Sequence, residues 1–358
     1  MSINRYLICD SRLPLHSKAY REAVCLLLES HSIPYSLFDG RHPKRTYLTS
    51  ALEFASAADI NRIVFITMEE INGVHLLWDR IKNYRFRSID VFCFYFKFSN
   101  LQGWSMRSLF ISICFAIAPV QKIIISRKTQ VSGYSRFLLG KKLHYAPDFF
   151  SDLERPSIST QAAKSHLLQL FSLPSNSIVI SYVGMISEKK AISTLLFLIQ
   201  ESIQFLLSHN VMIVIAGPLE PSGIDDSQIQ LLQSQGVVAY RPELLSNYDF
   251  YCVVAASDAV WCVQQNFSNS SGIFTRTCSW GSIPIVALDS YIGSLVLSLD
   301  LGYILDIHSK CVVDDFKNVV ISLLSQESRM RYLAACKQYS ASCGIDSFHD
   351  SLKPLFLT

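Results

Sequence analysis

Short runs of β-branched and aromatic residues recur along the chain, separated by longer stretches whose apolar positions fall three and four apart. The first six runs are Arg5–Cys9, Tyr35–Phe38, Arg62–Thr67, Asp90–Phe98, Lys122–Ser126 and Leu143–Ala146. They read as strands of one parallel sheet, with amphipathic segments such as Lys18–Ser30 and Val74–Tyr84 as crossover helices on its two faces. The polar stretch Asp148–Ser159 breaks the alternation. It restarts with Ile178–Val183, Met212–Ala216, Val237–Tyr240, Ala259–Val263, Ile283–Leu288 and Tyr303–Ile307, a second complete sheet. The pattern predicts an α/β chain of two Rossmann-like, doubly wound domains, 1–155 and 156–335, facing a cleft. The final helices, 336–358, are expected to pack back across the lobes. The absence of internal repeats of roughly 20 to 50 residues excludes a solenoid or propeller.

A length of 358 residues suits two domains of about 150 residues each. Half of the residues are apolar and 17% charged, a balance that supports buried cores. The ten cysteines are scattered, mostly through apolar runs, and form no C-x-x-C pair. They read as reduced core residues, which removes zinc, iron-sulfur and thioredoxin-like chemistry. Asp10 and Arg12 interrupt the only hydrophobic stretch near the start, so secretion is not expected. The longest apolar run, Leu109–Val120, falls short of the roughly 20 residues that span a bilayer and predicts a buried helix. A cytoplasmic protein is the expectation.

Charge divides the chain. Residues 1–150 hold 20 Lys and Arg against 11 Asp and Glu, net +9, and the remainder carries −6. Such a field attracts anionic surfaces or phosphorylated substrates. Arg41, Lys44, Arg45, Arg85, Arg87, Arg107, Lys141 and Lys142, with Trp104 and Met106 beside them, are the candidates for peripheral contact with the inner face of an anionic membrane; the competing reading is a scattered basic surface that aids solubility. No nucleic-acid partner is expected.

No G-x-G-x-x-G follows a strand and no Walker A sequence occurs, so dinucleotide oxidoreductases and P-loop NTPases lose their usual support. No spacing reveals a catalytic triad, and the nine histidines are dispersed. Three segments of the second half carry phosphate-binding chemistry instead. Val183-Gly184-Met185-Ile186-Ser187-Glu188-Lys189-Lys190-Ala191 places a glycine at a strand end and two lysines before a helix, where a ligand can approach the backbone and meet a cation. Val211–Gly217 is a strand closing on a glycine, followed by Gly236–Tyr240, with Arg241 and Glu243 just beyond. Asn269-Ser270-Ser271-Gly272-Ile273-Phe274-Thr275-Arg276-Thr277 follows Ser257-Asp258-Ala259-Val260 and feeds a helix whose free N–H groups can bind phosphate or sugar oxygens.

In order and spacing these segments resemble the nucleotide-sugar-binding domain of family-4 glycosyltransferases with the GT-B fold, over about residues 175–345. The first segment is similar to the family's V-G-R-x-x-x-x-K-G, with Lys190 on its lysine, Met185 on its arginine and Ala191 on its last glycine. The third is similar to E-G-F-G-L-P-L-L-E-A-M-A-C-G-L-P-V-I-A, with Asn269 and Thr277 where the family has its two glutamates and Ser282 on a glycine. The resemblance implies transfer of a sugar from a nucleoside diphosphate sugar to a glycan or lipid-linked acceptor in polysaccharide or glycolipid assembly, without cofactor or metal. It assigns Asn269 and Lys190 to catalysis, and Gly184, Lys189, Lys190, Gly217, Arg241, Ser270, Ser271, Gly272, Ile273 and Thr277 to donor contacts. In the first half only the βα architecture matches. Loops after its strands nominate Glu69, Glu70, Asn72, Lys97 and, as first choice for catalysis, His16, because the first βα turn is expected to face the cleft. The neutral pair at Asn269 and Thr277 also admits a catalytically degenerate module that binds or scaffolds an active transferase.

Overall fold

The computed structural model describes residues 5–9, 16–38, 44–66, 89–94, 106–117, 120–125, 133–147, 155–220, 226–265 and 271–357. The chain divides into two compact units, Met1–Ser151 with Cys343–Thr358, and Asp152–Ser342.

The first unit runs β1 (Tyr6–Cys9), α1 (His16–Ser30), β2 (Tyr35–Phe38), α2 (Lys44–Ala57), β3 (Arg62–Phe65), β4 (Asp90–Phe94), α3 (Met106–Ile117), β5 (Val120–Ile125), α4 (Gly133–Leu139) and β6 (Leu143–Tyr145). Its parallel sheet has the order β2-β1-β3-β4-β5-β6. Successive strand residues point to opposite faces, and each face has its own core. Leu7, Cys9, Ile63, Phe65 and Ile123 fill one, and Tyr6, Ile8, Val64, Phe92 and Ile124 the other. Burial on both faces is what nearly unbroken apolar strands require.

The second unit runs α5 (Thr160–Leu170), β7 (Ile178–Val183), a 3-10 turn (Glu188–Lys190), α6 (Ile192–Gln200), α7 (Ile203–Ser208), β8 (Val211–Ala216), α8 (Ser227–Ser234), β9 (Val238–Arg241), α9 (Asn247–Ala256) and β10 (Ala259–Trp261). It continues through α10 (Gly272–Trp280), β11 (Ile283–Ala287), α11 (Tyr291–Leu299), β12 (Tyr303–Leu305), α12 (Val312–Leu324) and α13 (Gln326–Ser342). Serines start three of these helices: Ser159, Ser246 and Ser290 accept from the N–H groups of Ala162, Asp249 and Gly293 at 3.2, 3.1 and 2.9 Å, each cap contributing about 1 kcal/mol. The parallel sheet has the order β12-β11-β10-β7-β8-β9. From β7 the chain builds outward to β9, then returns to the other side of β7 to lay down β10. The loops leaving β7 and β10 therefore part in opposite directions at their carboxyl ends, the place where doubly wound sheets bind ligands.

Asp258 ties this unit together just before β10. Its carboxylate, 8% exposed, accepts from Lys164 on α5 at 3.0 Å, from the N–H of Val179 on β7 at 2.9 Å, and from Arg329 on α13 at 2.6 Å. After α13 the chain re-enters the first unit as α14 (Ile345–Phe356), whose Phe348, Leu352, Leu355 and Phe356 join the core of Tyr6 and Ile8. The break falls at Ser342/Cys343 and not at 335/336, which lies inside α13. Tyr6 Oη donates to the Phe356 carbonyl at 2.8 Å; His144 Nε2 lies 2.6 Å from the Ser351 carbonyl and His349 Nε2 2.8 Å from that of Ala23.

Each expected strand is present in some form. The apolar run Leu109–Val120, however, is not a buried helix: α3 ends at Ile117, Val120 opens β5, and Phe110, Ile113 and Ile117 are exposed. Segment Val74–Tyr84 lies outside the described residues. Eight of the ten cysteines are buried, Cys25 is half-buried and Cys311 is exposed, so the core reading fails at Cys311.

Candidate functional site

The carboxyl edge of the second sheet is built around two glycines. Gly184, directly after β7, has φ +94°, and Gly217, directly after β8, has φ +137°, conformations that side chains resist. Their backbones touch: a Cβ on Gly217 would sit 2.2 Å from the Gly184 carbonyl oxygen. The N–H of Gly184 donates to Ala216 and that of Gly217 to Arg241, both at 2.9 Å, so the strand ends remain in register as the loops diverge.

Beyond Gly184 the chain wraps back over its own strand end. Tyr182 Oη donates to the Met185 carbonyl and accepts from the Ser187 N–H, both at 3.1 Å. Trp261 Nε1, at the end of β10, donates to the Lys190 carbonyl at 3.0 Å, and the Gln265 N–H donates to the Lys189 carbonyl at 3.1 Å. These contacts aim Lys190 inward. Its Nζ donates to the Val183 carbonyl at 3.3 Å, lies 5.7 Å from the Tyr182 ring centroid, and would be 2.9 Å from a Cβ on Gly184. Burial pushes the ammonium below the ordinary lysine pKa. A thiolate at Cys262 would oppose that shift, but burial pushes its thiol up to about 12, so it stays neutral and supplies no counter-charge. Among the described residues no carboxylate pairs with Lys190. The fold thus holds a half-buried cation, with no carboxylate partner among the described residues, at the point where the strand order reverses.

The second element of the site is the start of α10. Ser271 is its N-cap residue, but its side chain does not bond to the first turn; its hydroxyl instead accepts from Gln264 Nε2 at 3.0 Å. Among the described residues no side chain caps the first-turn N–H groups, which stand at the positive end of the helix dipole. Gln264 contacts the α10 start and Gln265 the Lys189 carbonyl, so one stretch of backbone after β10 joins the helix start to the lysine turn.

The remaining expected residues separate. Gly272 and Ile273 stand partly exposed at the start of α10. Lys189 points to solvent, 86% exposed, with Nζ 3.9 Å from Glu220, which makes it a poor substitute for an inward cation. Arg241 ends β9 and pairs with Glu243 at 3.7 Å. Thr277 does not reach a ligand-facing surface: it is fully buried, and its hydroxyl donates to the Ile273 carbonyl at 2.7 Å, 3.5 Å from the Cys262 sulfur. His16 opens α1 after β1, and its side chain lies outside the described residues, as do Glu69, Glu70, Asn72, Lys97, Asn269 and Ser270. Two departures from the family pattern acquire a physical meaning. Ala191 is left-handed, φ +53°, where the resembling family has glycine, a conformation costing an L-residue about 1–2 kcal/mol. The left-handed residue closing α10 is Gly281, φ +92°, which leaves Ser282 free to place its hydroxyl 2.8 Å from the Ser257 carbonyl. Tyr182, Trp261, Gln264 and Gln265 escaped sequence reading, because nothing in an apolar strand or a polar loop marks which tip reaches a neighbouring turn. Among the described residues no group of His, Cys, Asp or Glu is placed to hold a metal ion.

Two doubly wound parallel sheets with this order and this switch-point geometry are the GT-B architecture, and solved structures share it along nearly the whole chain. The chain is similar to Anabaena Alr3699/HepE, crystallised in complex with UDP, at 14% identity over 98% of this chain and 99% of that one, TM-score 0.68. It is similar to a glycosyltransferase from Rickettsia africae ESF-5 at 10% identity over 99% and 100%, TM-score 0.64. It is also similar to WaaG, a glycosyltransferase involved in lipopolysaccharide biosynthesis, at 10% identity over 98% and 99%, TM-score 0.62. No protein-family model and no curated protein matches the sequence. The fold is GT-B.

Proposed function

We propose that the protein is a glycosyltransferase that takes a sugar from a nucleoside diphosphate donor and passes it to a glycan or lipid-linked acceptor in polysaccharide or glycolipid assembly. The observation that carries this reading is the Lys190 ammonium, held inward without a carboxylate at the switch point of the second sheet. A buried cation is expensive unless an anion meets it. Lys190 and the start of α10 form a set of donors that suits a diphosphate, and the glycines, bare of side chains, let it approach the strand ends. Structural neighbours with the same fold were crystallised with UDP and with UDP-glucose, which supports a nucleotide-sugar donor.

In this reading the bond between the anomeric carbon and the diphosphate oxygen breaks, and its electron pair leaves with the diphosphate. Lys190 and the first N–H groups of α10 oppose that growing negative charge. The acceptor hydroxyl forms the new glycosidic bond and releases its proton. Pre-arranged donors of this kind act more strongly as water is withdrawn, and Lys190 is already half-buried. The protein is incubated with UDP-, GDP- and ADP-sugars, and release of free nucleotide is followed with and without glycan or lipid acceptors. Turnover of at least one donor, lost in Lys190→Met, is expected; no turnover and no nucleotide binding would refute the reading. The neutral pair at Asn269 and Thr277, where the resembling family has glutamates, favours a second reading, a module that binds the nucleotide without turning it over. Binding without turnover across the panel would select it.

A further inference from the structure

Residues of α11, β12, α12 and α13 line a cavity of about 400 Å³ on the outer strand of the second sheet. It opens toward the amino end of β12, whereas Gly184, Gly217 and Lys190 stand at the carboxyl ends of the strands. Its volume falls within the range of roughly 300–1,000 Å³ of small-molecule sites. One wall is a polar face of α12, with Asp315, Asn318 and Ser322 at i, i+3 and i+7. The side chains of Asp315 and Asn318 make no hydrogen bond or ion pair among the described residues. Tyr303 of β12, 5% exposed, meets the Tyr332 ring edge-on with centroids 4.8 Å apart. Its hydroxyl is buried and has no hydrogen-bond partner, although Ser322 lies near enough to temper the pKa that burial raises. A buried hydroxyl left unpaired is uncommon and unfavourable, and this one borders space that a ligand can fill.

The chemistry of the lining selects the ligand. At the rim Asp300 is held by Arg331, whose Nε lies 3.0 Å from the carboxylate and whose guanidinium stacks 4.5 Å from the Tyr332 ring centroid. The Leu305 carbonyl faces β11, accepting from Leu288 at 2.9 Å, so by alternation Ile304 turns its backbone N–H and carbonyl outward at the sheet edge, beside the cavity. A phosphorylated ligand could accept from Tyr303 but would set its charge against Asp300 and Asp315. An ammonium would suit the carboxylates but leave the Tyr303 proton without an acceptor. A sugar hydroxyl meets both demands, because it donates to a carboxylate or amide oxygen and accepts from a phenol. Val296 and Leu297, the latter 67% exposed, add an apolar border against which the C–H groups of a sugar ring can lie.

We infer that this cavity is a carbohydrate-binding site, separate from the donor site, in which Tyr303, Asp315 and Asn318 hydrogen-bond sugar hydroxyls. It is independent of the transferase reading and survives its failure. The test is saturation-transfer difference NMR of the full chain with maltose, cellobiose, lactose and N,N′-diacetylchitobiose, followed by titration of whichever binds best. Spermidine and inorganic phosphate are run beside them. At least one sugar is expected to bind, with the same Kd under excess UDP and in Lys190→Met, because the cavity and the lysine lie toward opposite ends of the strands. Asp315→Ala is expected to raise that Kd roughly tenfold or more, and Tyr303→Phe about fivefold, the factors for a charged and a neutral hydrogen bond. Tyr303→Phe keeps the ring and removes an unpaired buried hydroxyl, so its melting temperature should hold or rise. Should that variant unfold instead, Asp315→Ala alone decides. No binding by any of the four sugars, binding that excess UDP or Lys190→Met abolishes, or an unchanged Kd in Asp315→Ala would overturn the inference. So would binding of spermidine or phosphate with no sugar bound.

Discussion

Replacing Lys190 with methionine separates a binding cation from a structural one. The change keeps an unbranched apolar stem and removes the ammonium. In the free protein that ammonium is half-buried, makes one bond of 3.3 Å to the Val183 carbonyl, and has no carboxylate partner among the described residues. Losing that bond costs about 1 kcal/mol, and relief of charge desolvation offsets it. The melting temperature should therefore stay within a few degrees or rise, as when a strained functional group is removed. Binding should respond the other way. At about 4 Å and an effective dielectric near 20, the attraction between ammonium and diphosphate is of order 4 kcal/mol, and charge-assisted hydrogen bonds measured by truncation contribute about 1.5–3 kcal/mol. The Kd for whichever of UDP, GDP or ADP binds best should rise roughly 10- to 150-fold. Isothermal titration calorimetry beside thermal unfolding measures both quantities. The pH dependence adds a second readout. Because the lysine pKa is lowered, wild-type affinity should fall as pH rises through that lowered value, with proton uptake on binding, whereas Lys190→Met should be flat there. Unchanged affinity together with a stability loss above about 2 kcal/mol would show that Lys190 is structural, and the reasoning would fail.

Gly217→Ala should destabilise the second unit by about 4 kcal/mol or more, read by urea unfolding, because φ is +137° and the new Cβ would meet the Gly184 carbonyl oxygen at 2.2 Å. Asp258→Ala should cost about 2–3 kcal/mol, since it strands Lys164, Arg329 and the Val179 N–H; Asp258→Asn, which can still accept from that N–H, should recover part of the loss. Burial lowers the pKa of His144, opposed by its bond to the Ser351 carbonyl, with Lys122 adding to the lowering. The unfolded state then binds more protons just below pH 6.5, so the stability of the first unit should decline as pH falls from about 6.5 toward the lowered value. Hydrogen exchange in α14 across that range should report it, and His144→Gln should flatten the profile.

The sheets were legible in the chain because strand periodicity is local: Ile178–Val183 or Ile283–Ala287 can be read without knowing what lies beside them. The glycines at 184 and 217 were legible for the same reason, since a turn at a strand end needs no distant partner. Lys190 could be named from its place between a strand and a helix, but not its state. Its burial and missing counter-charge arise from Trp261, Gln265 and the Gly184 backbone, which lie near it only once β10 is laid beside β7. Thr277 failed as a ligand contact for the converse reason: a spacing along a helix is one-dimensional, and which way the residue points depends on how α10 lies against β10 and Cys262. The apolar run from Leu109 to Val120 shows the limit most plainly. Hydrophobicity alone read it as interior, whereas the sheet and α4 bury the side of α3 that carries Ser112 and Phe115 and leave Phe110, Ile113 and Ile117 outside, because packing selects one face of a helix and composition has no faces.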